Sequence, residues 1–128
     1  MDGKVGIESK NCMNRVLIVD DNLDIRLLFK RRLETEGYEV IEAENGLQAA
    51  ETLQSTEPCL VILDLMMPIM DGWQFLEWKK EQKKELAELP VIVISAVSNN
   101  VKAPEGVAGF LKKPVSLSNM ISTIQNHC

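Results

Sequence analysis

The chain has 128 residues, of which 45% are hydrophobic and 26% charged, and its formal net charge at neutral pH is −5. This length provides one domain with a proper core and is too short for a second. The composition is that of a folded globular protein and excludes a disordered chain. The negative charge argues against direct nucleic-acid binding, which needs a basic surface. No apolar stretch approaches membrane-spanning length, so we expect no membrane insertion.

The first half of the chain alternates between apolar runs of strand length and segments of helical spacing. Residues 1–14 lack periodicity, and we expect them to be a mobile lead-in to a single domain over residues 15–128. The elements predicted next are, in chain order, a strand at Arg15–Val19, a helix over about Asn22–Glu36, a strand at Tyr38–Ala43 and a helix over about Asn45–Gln54. The helical side chains spaced to face the sheet are Ile25, Leu28, Phe29, Leu33, Leu47, Ala50 and Leu53.

The second half continues the alternation. Its predicted elements are a strand at Cys59–Leu63, a helix from about Asp71 that continues to Glu88, a strand at Val91–Ser95, a strand at Ala108–Leu111 and a last helix capped near Ser116. Little more than Ser98–Ala103 remains for a helix between strands four and five, so helix four is shortened to a turn or two. The pattern predicts an α/β fold, a doubly wound five-stranded parallel sheet with helices on both faces.

The three cysteines, Cys12, Cys59 and Cys128, are odd in number and lack CxxC spacing. Because the sequence shows no signal peptide, this pattern favours a reduced, cytoplasmic chain over a disulfide scaffold or a zinc site. Cys59 begins a buried strand and is expected to behave as a small hydrophobic residue.

Polar side chains follow the apolar runs where the predicted strands end. These residues are Asp20 and Asp21 after strand one, Asp64 after strand three, Ser95 at the end of strand four and Lys113 after strand five. Because the carboxyl ends of parallel strands meet at one edge of the sheet, we expect these side chains to gather in one crevice. Three acids cannot sit together without compensation, so a divalent cation is implied. Mg²⁺ suits such a site because it binds carboxylates together with phosphate oxygens and water.

Each of these residues also has a simpler interpretation. Asp20 and Asp21 could be helix N-caps, which are commonly aspartate. Ser95 could be only a small residue at a strand end, an alternative nearly level with a functional one, and Lys113 could be solvated. Asp64 is harder to explain in this way, because an acid that ends a buried apolar strand is unfavourable without a function.

In these features the chain closely resembles the receiver domain of bacterial two-component response regulators, which have the CheY-like, flavodoxin-type fold. The resemblance covers roughly residues 15–126. Its motifs are Asp20-Asp21, Asp64, the loop Met67-Pro68-Ile69-Met70-Asp71-Gly72, Ser95-Ala96 and Lys113-Pro114. Any one of these motifs alone is weak evidence for the family. Together, in this order and at the ends of alternate secondary-structure elements, they are a specific signal for it.

The resemblance implies that Asp64 is a phosphoacceptor that attacks a phosphoryl group to form an aspartyl phosphate. Asp20, Asp21 and Asp64 would hold Mg²⁺ together with the backbone carbonyl of Met66. Lys113 would supply a second positive charge to the phosphoryl oxygens.

Ser95 and Phe110 match the pair of residues that responds to phosphorylation in the family, and Ser95 would also donate a hydrogen bond to a phosphoryl oxygen. Such a protein is a regulatory phosphoacceptor, not an enzyme beyond its own phosphorylation and dephosphorylation. Because the one histidine, His127, lies at a terminus, the phosphoryl donor would be a histidine of a partner. The implied partner is a sensor histidine kinase or a histidine phosphotransfer protein, docking over the first helix near the acidic pocket.

Several alternatives stay open at this point. The chain is expected to be a stand-alone regulator that contacts an unknown downstream protein, although a domain of a larger protein is the competing explanation. A pseudo-receiver, an interaction module not controlled by phosphorylation, is kept open by the shortened helix four. A haloacid-dehalogenase-type phosphatase would need an acid where this chain has Met66, and a flavin protein would need a phosphate-cradling loop in place of Asp20-Asp21-Asn22. The sequence does not decide whether phosphorylation causes dimerisation.

Overall fold

The structure, a computed structural model, describes residues 14–96 and 102–128. Its strands are β1 (Arg15–Val19), β2 (Glu39–Ala43), β3 (Leu60–Leu63), β4 (Val91–Ser95) and β5 (Gly109–Lys112). Its helices are α1 (Leu23–Thr35), α2 (Gly46–Leu53), α3 (Gly72–Lys80), α4 (Lys84–Ala87) and α5 (Leu117–Gln125). The predicted strands are therefore confirmed to within a residue at each end. None of the helices in the described ranges is long and apolar enough to cross a membrane.

The strands form one parallel sheet in the order β2-β1-β3-β4-β5. In this order β2 lies on one side of β1, whereas β3, β4 and β5 follow one another on its other side. This makes the carboxyl edge between β1 and β3 the topological switch point, where open α/β sheets bind their ligands. Asp20 directly follows β1 and Asp64 directly follows β3, so the topology places both acids at this crevice.

The core consists of two apolar layers, one on each face of the sheet. One layer packs α2 and α3 against a sheet face that includes Leu17 and Val93. The other packs α1 and α5 against the opposite face, which includes Ile18 and Ile62. Because β1, β3 and β4 are covered on both sides, they are continuous apolar runs, which is why the sequence identified them. The doubly wound architecture is confirmed.

Two side chains predicted to face the sheet do not. Leu28 on α1 is 48% exposed and Leu47 on α2 is 44% exposed. Phe29 and Leu33 are buried as predicted, and the third buried residue of α1 is Arg26, so the buried positions are spaced at i, i+3 and i+7. The prediction for Leu28 was wrong because a leucine next to the inward position Phe29 points about 100° away around the helix.

The helix predicted to continue to Glu88 is two helices. The helix α3 ends at Lys80, and the single turn α4 begins at Lys84. The buried Lys79 joins them, because its ammonium donates a hydrogen bond of 2.6 Å to the carbonyl of Ala87 at the end of α4. Burial lowers the pKa of Lys79. A basic residue in a charged stretch gave no sign of this buried contact.

Two predicted segments fall wholly or partly outside the described residues. Of the expected lead-in, only Asn14 is described, and its carbonyl already accepts a hydrogen bond of 2.9 Å from the Glu39 amide of β2. The segment 97–101, which carries most of the predicted helix at Ser98–Ala103, is not described, and Lys102 and Ala103 are not helical.

A disulfide joins Cys59 to Cys128, whose Cα atoms are 5.6 Å apart. The expectation of free thiols was therefore wrong for this pair, while Cys12 lies outside the described residues. The two cysteines are 69 residues apart in sequence and meet because α5 carries the chain back towards the start of β3. Tyr38 contributes to the same junction, since its hydroxyl donates a hydrogen bond of 3.3 Å to the carbonyl of Cys128. No spacing rule anticipates a pair brought together only by the packing of a helix.

Candidate functional site

Three carboxylates meet at the carboxyl ends of β1 and β3. Asp20 and Asp64 are buried and Asp21 is exposed, and one carboxylate oxygen from each lies within 4.8 Å of the others. The sheet itself fixes the two buried acids. The Asp20 amide donates to the carbonyl of Ala43 at 3.1 Å, and the Asp64 amide donates to that of Val19 at 2.9 Å. These oxygen ligands are the type that Mg²⁺ and other hard cations prefer, so the cluster could hold such an ion.

Lys113 reaches into this cluster from the end of β5. Its ammonium nitrogen lies 2.8 Å from Asp20 Oδ2 and 3.3 Å from Asp64 Oδ2. Its own amide donates a hydrogen bond of 2.9 Å to the carbonyl of Ser95, and the peptide bond to Pro114 is cis. The neighbouring Lys112 is exposed. Lys113 is therefore the inward lysine, as the sequence predicted.

Burial and charge act together on Asp64. Burial raises the pKa of this carboxyl, and the negative charge of Asp20 raises it further, while Lys113 and the amide of Met66 act in the opposite direction. For Lys113 burial lowers the pKa, but its hydrogen bonds to Asp20 and Asp64 and their charges outweigh burial and leave the pKa raised. The ammonium form of Lys113 is thus held firmly. The ionised form of Asp64 is less stable than that of a free aspartate, so additional positive charge at this edge would stabilise it.

Ser95, at the end of β4, is fully buried. Within the described part of the chain its hydroxyl is the one buried side-chain polar atom without a hydrogen-bond partner. Burying a polar group without a partner costs about 1–3 kcal/mol. Strand register pairs Leu63 with Val93, so Ser95 lies slightly beyond the level at which Asp64 leaves β3. A hydroxyl without a partner at this position could donate a hydrogen bond to an atom of a bound ligand.

The two remaining predicted residues lie beside the cluster. The Met66 side chain is 64% exposed, and its amide donates a long hydrogen bond of 3.4 Å to Asp64 Oδ1. Phe110 lies on β5, is partly buried and packs against the core layer of α2 and α3. The roles predicted for the Met66 carbonyl and for a Phe110 rearrangement stay predictions.

The loop after β3 approaches the acid cluster closely. A Cβ atom on Gly72 would lie 2.5 Å from the carbonyl oxygen of Asp64 and 2.7 Å from the Cα of Leu65. The Gly72 amide donates a hydrogen bond of 2.9 Å to the carbonyl of Leu65, and Asp71 caps α3 through the amide of Gln74 at 2.9 Å. Only glycine fits here, so the start of α3 packs directly on the backbone that carries Asp64.

Sequence reasoning missed Arg26. This buried residue of α1 donates from Nη1 to the backbone carbonyl of Asp20 at 2.8 Å and from Nε to Glu42 Oε1 at 3.0 Å. The signal was present, because Arg26 occupies the same inward row of the helix as Phe29 and Leu33. A charged residue in an inward row requires a buried partner.

The family model of the response regulator receiver domain matches residues 16–125. The chain belongs to this family. This receiver domain is 32% identical over 118 residues to the polar-differentiation response regulator DivK from Brucella anthropi, covering 88% of this chain and 94% of that relative. The resemblance inferred from the sequence motifs is thereby confirmed.

Solved receiver structures have the same fold. One is the signal receiver domain of a signal transduction histidine kinase from Syntrophus aciditrophicus, with a TM-score of 0.82 and 32% identity over 88% of each chain. Another is the response regulator protein TrrA from Thermotoga maritima in complex with Mg²⁺-BeF, with a TM-score of 0.80 and 30% identity over 91% of this chain and all of that one. The receiver domain thus resembles both a response regulator and a domain of a kinase, and the CheY-like fold prediction is confirmed.

Proposed function

We propose that this receiver domain is a phosphoacceptor of two-component signalling, and that Asp64 receives a phosphoryl group from a histidine of a partner protein. The observation that carries the proposal is the convergence on one edge of Asp64, the inward Lys113 and the Ser95 hydroxyl that lacks a partner. The first two groups match a nucleophile and a cation for an anionic substrate. The third group, the Ser95 hydroxyl, is a hydrogen-bond donor that could bind a phosphoryl oxygen.

In the proposed reaction a carboxylate oxygen of Asp64 attacks phosphorus, and the bond from phosphorus to the donor's imidazole nitrogen breaks. The electron pair of that bond stays on the nitrogen, and the phosphoryl group becomes an acyl phosphate on Asp64. The Lys113 ammonium faces the incoming charge, since it already lies 3.3 Å from the nucleophile. The Ser95 hydroxyl donates to a phosphoryl oxygen. Asp64 reacts as the carboxylate, so any charge that lowers its raised pKa increases the reactive fraction.

Mg²⁺ belongs to the proposal because the donor set fits it, with three carboxylates whose oxygens converge within 4.8 Å. Asp20, Asp21 and Asp64, with the Met66 carbonyl, are the residues that would hold it. Bound there, the ion would neutralise the acids and the oxygens of the transferred group. The crystallised Mg²⁺-BeF complex of TrrA supports this assignment by similarity.

The output of the proposed switch is a protein-interaction surface. Phosphorylation adds charge beside Ser95, and Phe110, on the adjacent strand β5, repacks in response. The phosphoryl donor is a sensor histidine kinase or a histidine phosphotransfer protein, and the output goes to a downstream protein target. The proposed receiver domain comprises residues 15–128 and acts in the cytoplasm.

Intact-protein mass spectrometry after incubation with acetyl phosphate and Mg²⁺ tests the proposal. We expect one phosphoryl adduct on the native protein and none on Asp64→Asn. The matched control is Asp71→Asn, which alters an acid in the following loop but keeps a side chain able to cap α3, and it should still accept the group. Chelation of Mg²⁺ should abolish uptake and leave the circular dichroism spectrum unchanged.

The contrary result also has a clear meaning. If the folded native protein gains no adduct from any of several donors and does not bind beryllofluoride, the site is not a phosphoacceptor. The pseudo-receiver hypothesis would then account for the chain. Global unfolding on chelation would likewise contradict the proposal, because it assigns the ion to chemistry and not to the fold.

A further inference from the structure

A buried arginine lies directly behind the acid cluster and is not used in the proposed chemistry. Arg26 projects from α1 under the β1–α1 turn, and its side chain is only 9% exposed. Its guanidinium bridges two elements, because Nη1 donates to the carbonyl of Asp20 at 2.8 Å and Nε donates to Glu42 Oε1 on β2 at 3.0 Å. The guanidinium therefore binds the main chain of an acid whose side chain belongs to the site.

The contacts of Asp20 leave it little freedom. Its amide donates to Ala43 at 3.1 Å, and its Oδ1 accepts from the amide of Asn22 at 2.9 Å. Its Oδ2 accepts from Lys113 at 2.8 Å, and its carbonyl accepts from Arg26. The Lys113 and Asn22 contacts act on the carboxylate. The other two contacts fix the backbone of Asp20, because the Ala43 carbonyl binds its amide and the Arg26 guanidinium binds its carbonyl. Arg26 is the one that does so through a side chain.

Stability alone does not explain an arginine at this position. The Arg26–Glu42 ion pair is buried on the arginine side, while the Glu42 side chain is 28% exposed. Such a pair is commonly no more stabilising than apolar residues of similar volume, because the buried guanidinium loses its hydration. What arginine offers instead is geometry, since its planar group presents several donors at fixed angles and can hold a carbonyl and a carboxylate at once. Lys30 adds a second, weaker contact to Glu42, with 3.4 Å between Nζ and Oε2.

We propose that Arg26 is a positioning residue for the metal site, which holds the Asp20 backbone so that the Asp20 carboxylate stays at binding distance from Asp21 and Asp64. The inference rests on the proposed function, because it concerns the same acid cluster. Groups that orient the ligands of a metal without touching it usually matter about 10- to 100-fold in affinity. Arg26 acts in this way through one carbonyl.

The test is the Mg²⁺ dissociation constant of the full chain, measured by isothermal titration calorimetry without any phosphoryl donor. We expect Arg26→Met to raise this constant by about tenfold or more, at the low end of the range for orienting groups. Lys30→Met is the matched control, because Lys30 shares Glu42 and, in the described part of the chain, does not bond Asp20. It should bind Mg²⁺ as the native protein does. Ile124→Val, which loosens the core away from the site, should lower the melting temperature and leave Mg²⁺ affinity unchanged.

Each outcome decides between the hypotheses. Equal Mg²⁺ affinity of Arg26→Met and the native protein would overturn the role of Arg26 and leave the proposed function standing. A native protein that binds no Mg²⁺ would overturn the proposed function and this inference with it. If Arg26→Met does not fold, Arg26→Lys replaces it, since a single ammonium cannot span the Asp20 carbonyl and Glu42 together. We expect Arg26→Lys to bind Mg²⁺ several-fold more weakly, and native affinity in this variant would overturn the inference.

Discussion

Ile69, in the loop between β3 and α3, stores backbone strain. Its φ of 70° is the single positive value at a non-glycine residue within 14–96 and 102–128. The two other positive values in those ranges belong to Gly37, at 96°, and Gly106, at 80°. The left-handed conformation costs an L-residue roughly 1–2 kcal/mol, and a β-branched side chain is among the least suited to it. Because the Ile69 side chain is 74% exposed, packing offsets little of this cost.

Replacing Ile69 by glycine should therefore stabilise the domain. The substitution removes the strain of roughly 1–2 kcal/mol, but glycine makes the unfolded chain more flexible, which costs about 0.5–1 kcal/mol. With the middle of each range, the net gain in the free energy of unfolding is about 0.7 kcal/mol. For a chain of this length the gain corresponds to a rise of roughly 2–4 °C in melting temperature.

Urea unfolding and differential scanning calorimetry of the metal-free protein would measure this gain. Ile69→Asn should behave similarly to Ile69→Gly, because asparagine tolerates the left-handed conformation. Ile69→Val is the control, since valine keeps the branched Cβ and therefore the strain, and it should melt with the native protein. A lower melting temperature for Ile69→Gly, with valine unchanged, would refute the reasoning and indicate that the isoleucine side chain contributes contacts of its own.

Two further predictions concern charge and the disulfide. Burial and Asp20 raise the pKa of Asp64, so the fold loses stability as pH rises from the ordinary carboxyl range through that raised pKa. Asp64→Asn should then unfold at higher urea than the native protein at neutral pH without Mg²⁺, and this difference should shrink at acid pH. A difference that grows on acidification would contradict the sign. The Cys59–Cys128 bond closes a separation of 69 residues, for which chain entropy gives at most about 4.4 kcal/mol. Reductant should lower the melting temperature of the native protein but not of Cys128→Ser, and equal insensitivity of both would argue against the bond.

The elements of the fold were predictable because their signals are local. The strands β1, β3 and β4 are buried on both faces, so each is an uninterrupted apolar run. Each long helix begins at a side chain that accepts a hydrogen bond from the third residue beyond it. The capping residues are Asn22, Asn45, Asp71 and Ser116. The sequence placed the helix starts near these residues but identified only Ser116 as a cap, and the cap of α1 is Asn22, not Asp20 or Asp21. Lys113 was likewise identified as the inward lysine, because the Lys113-Pro114 motif distinguishes it from Lys112.

What the sequence did not predict depends on contacts between distant elements. Arg26 could be placed on the inward row of α1, yet its partners are a carbonyl after β1 and Glu42 on β2, which only the assembled sheet brings together. Cys59 and Cys128 meet through the packing of α5, for which cysteine spacing is not informative. The exposure of Leu28 shows the same limit, because helical spacing alone does not decide which way a helix is rotated about its axis.

Two unfavourable features of the domain lie at one edge of the sheet. The pKa of Asp64 is raised, so its ionised form is less stable than that of a free aspartate, and Ser95 is a buried donor without an acceptor in the described residues. A phosphoryl group with its cation would relieve both at once, since positive charge stabilises the acids and a phosphoryl oxygen accepts from Ser95. The strain at Ile69 is different, because it is the backbone cost of an exposed residue in the following loop, and we expect ligand binding to leave it unchanged. The first two costs are therefore expected to couple ligand binding to stability, so beryllofluoride with Mg²⁺ should raise the melting temperature of the native protein and of Ile69→Gly by the same amount.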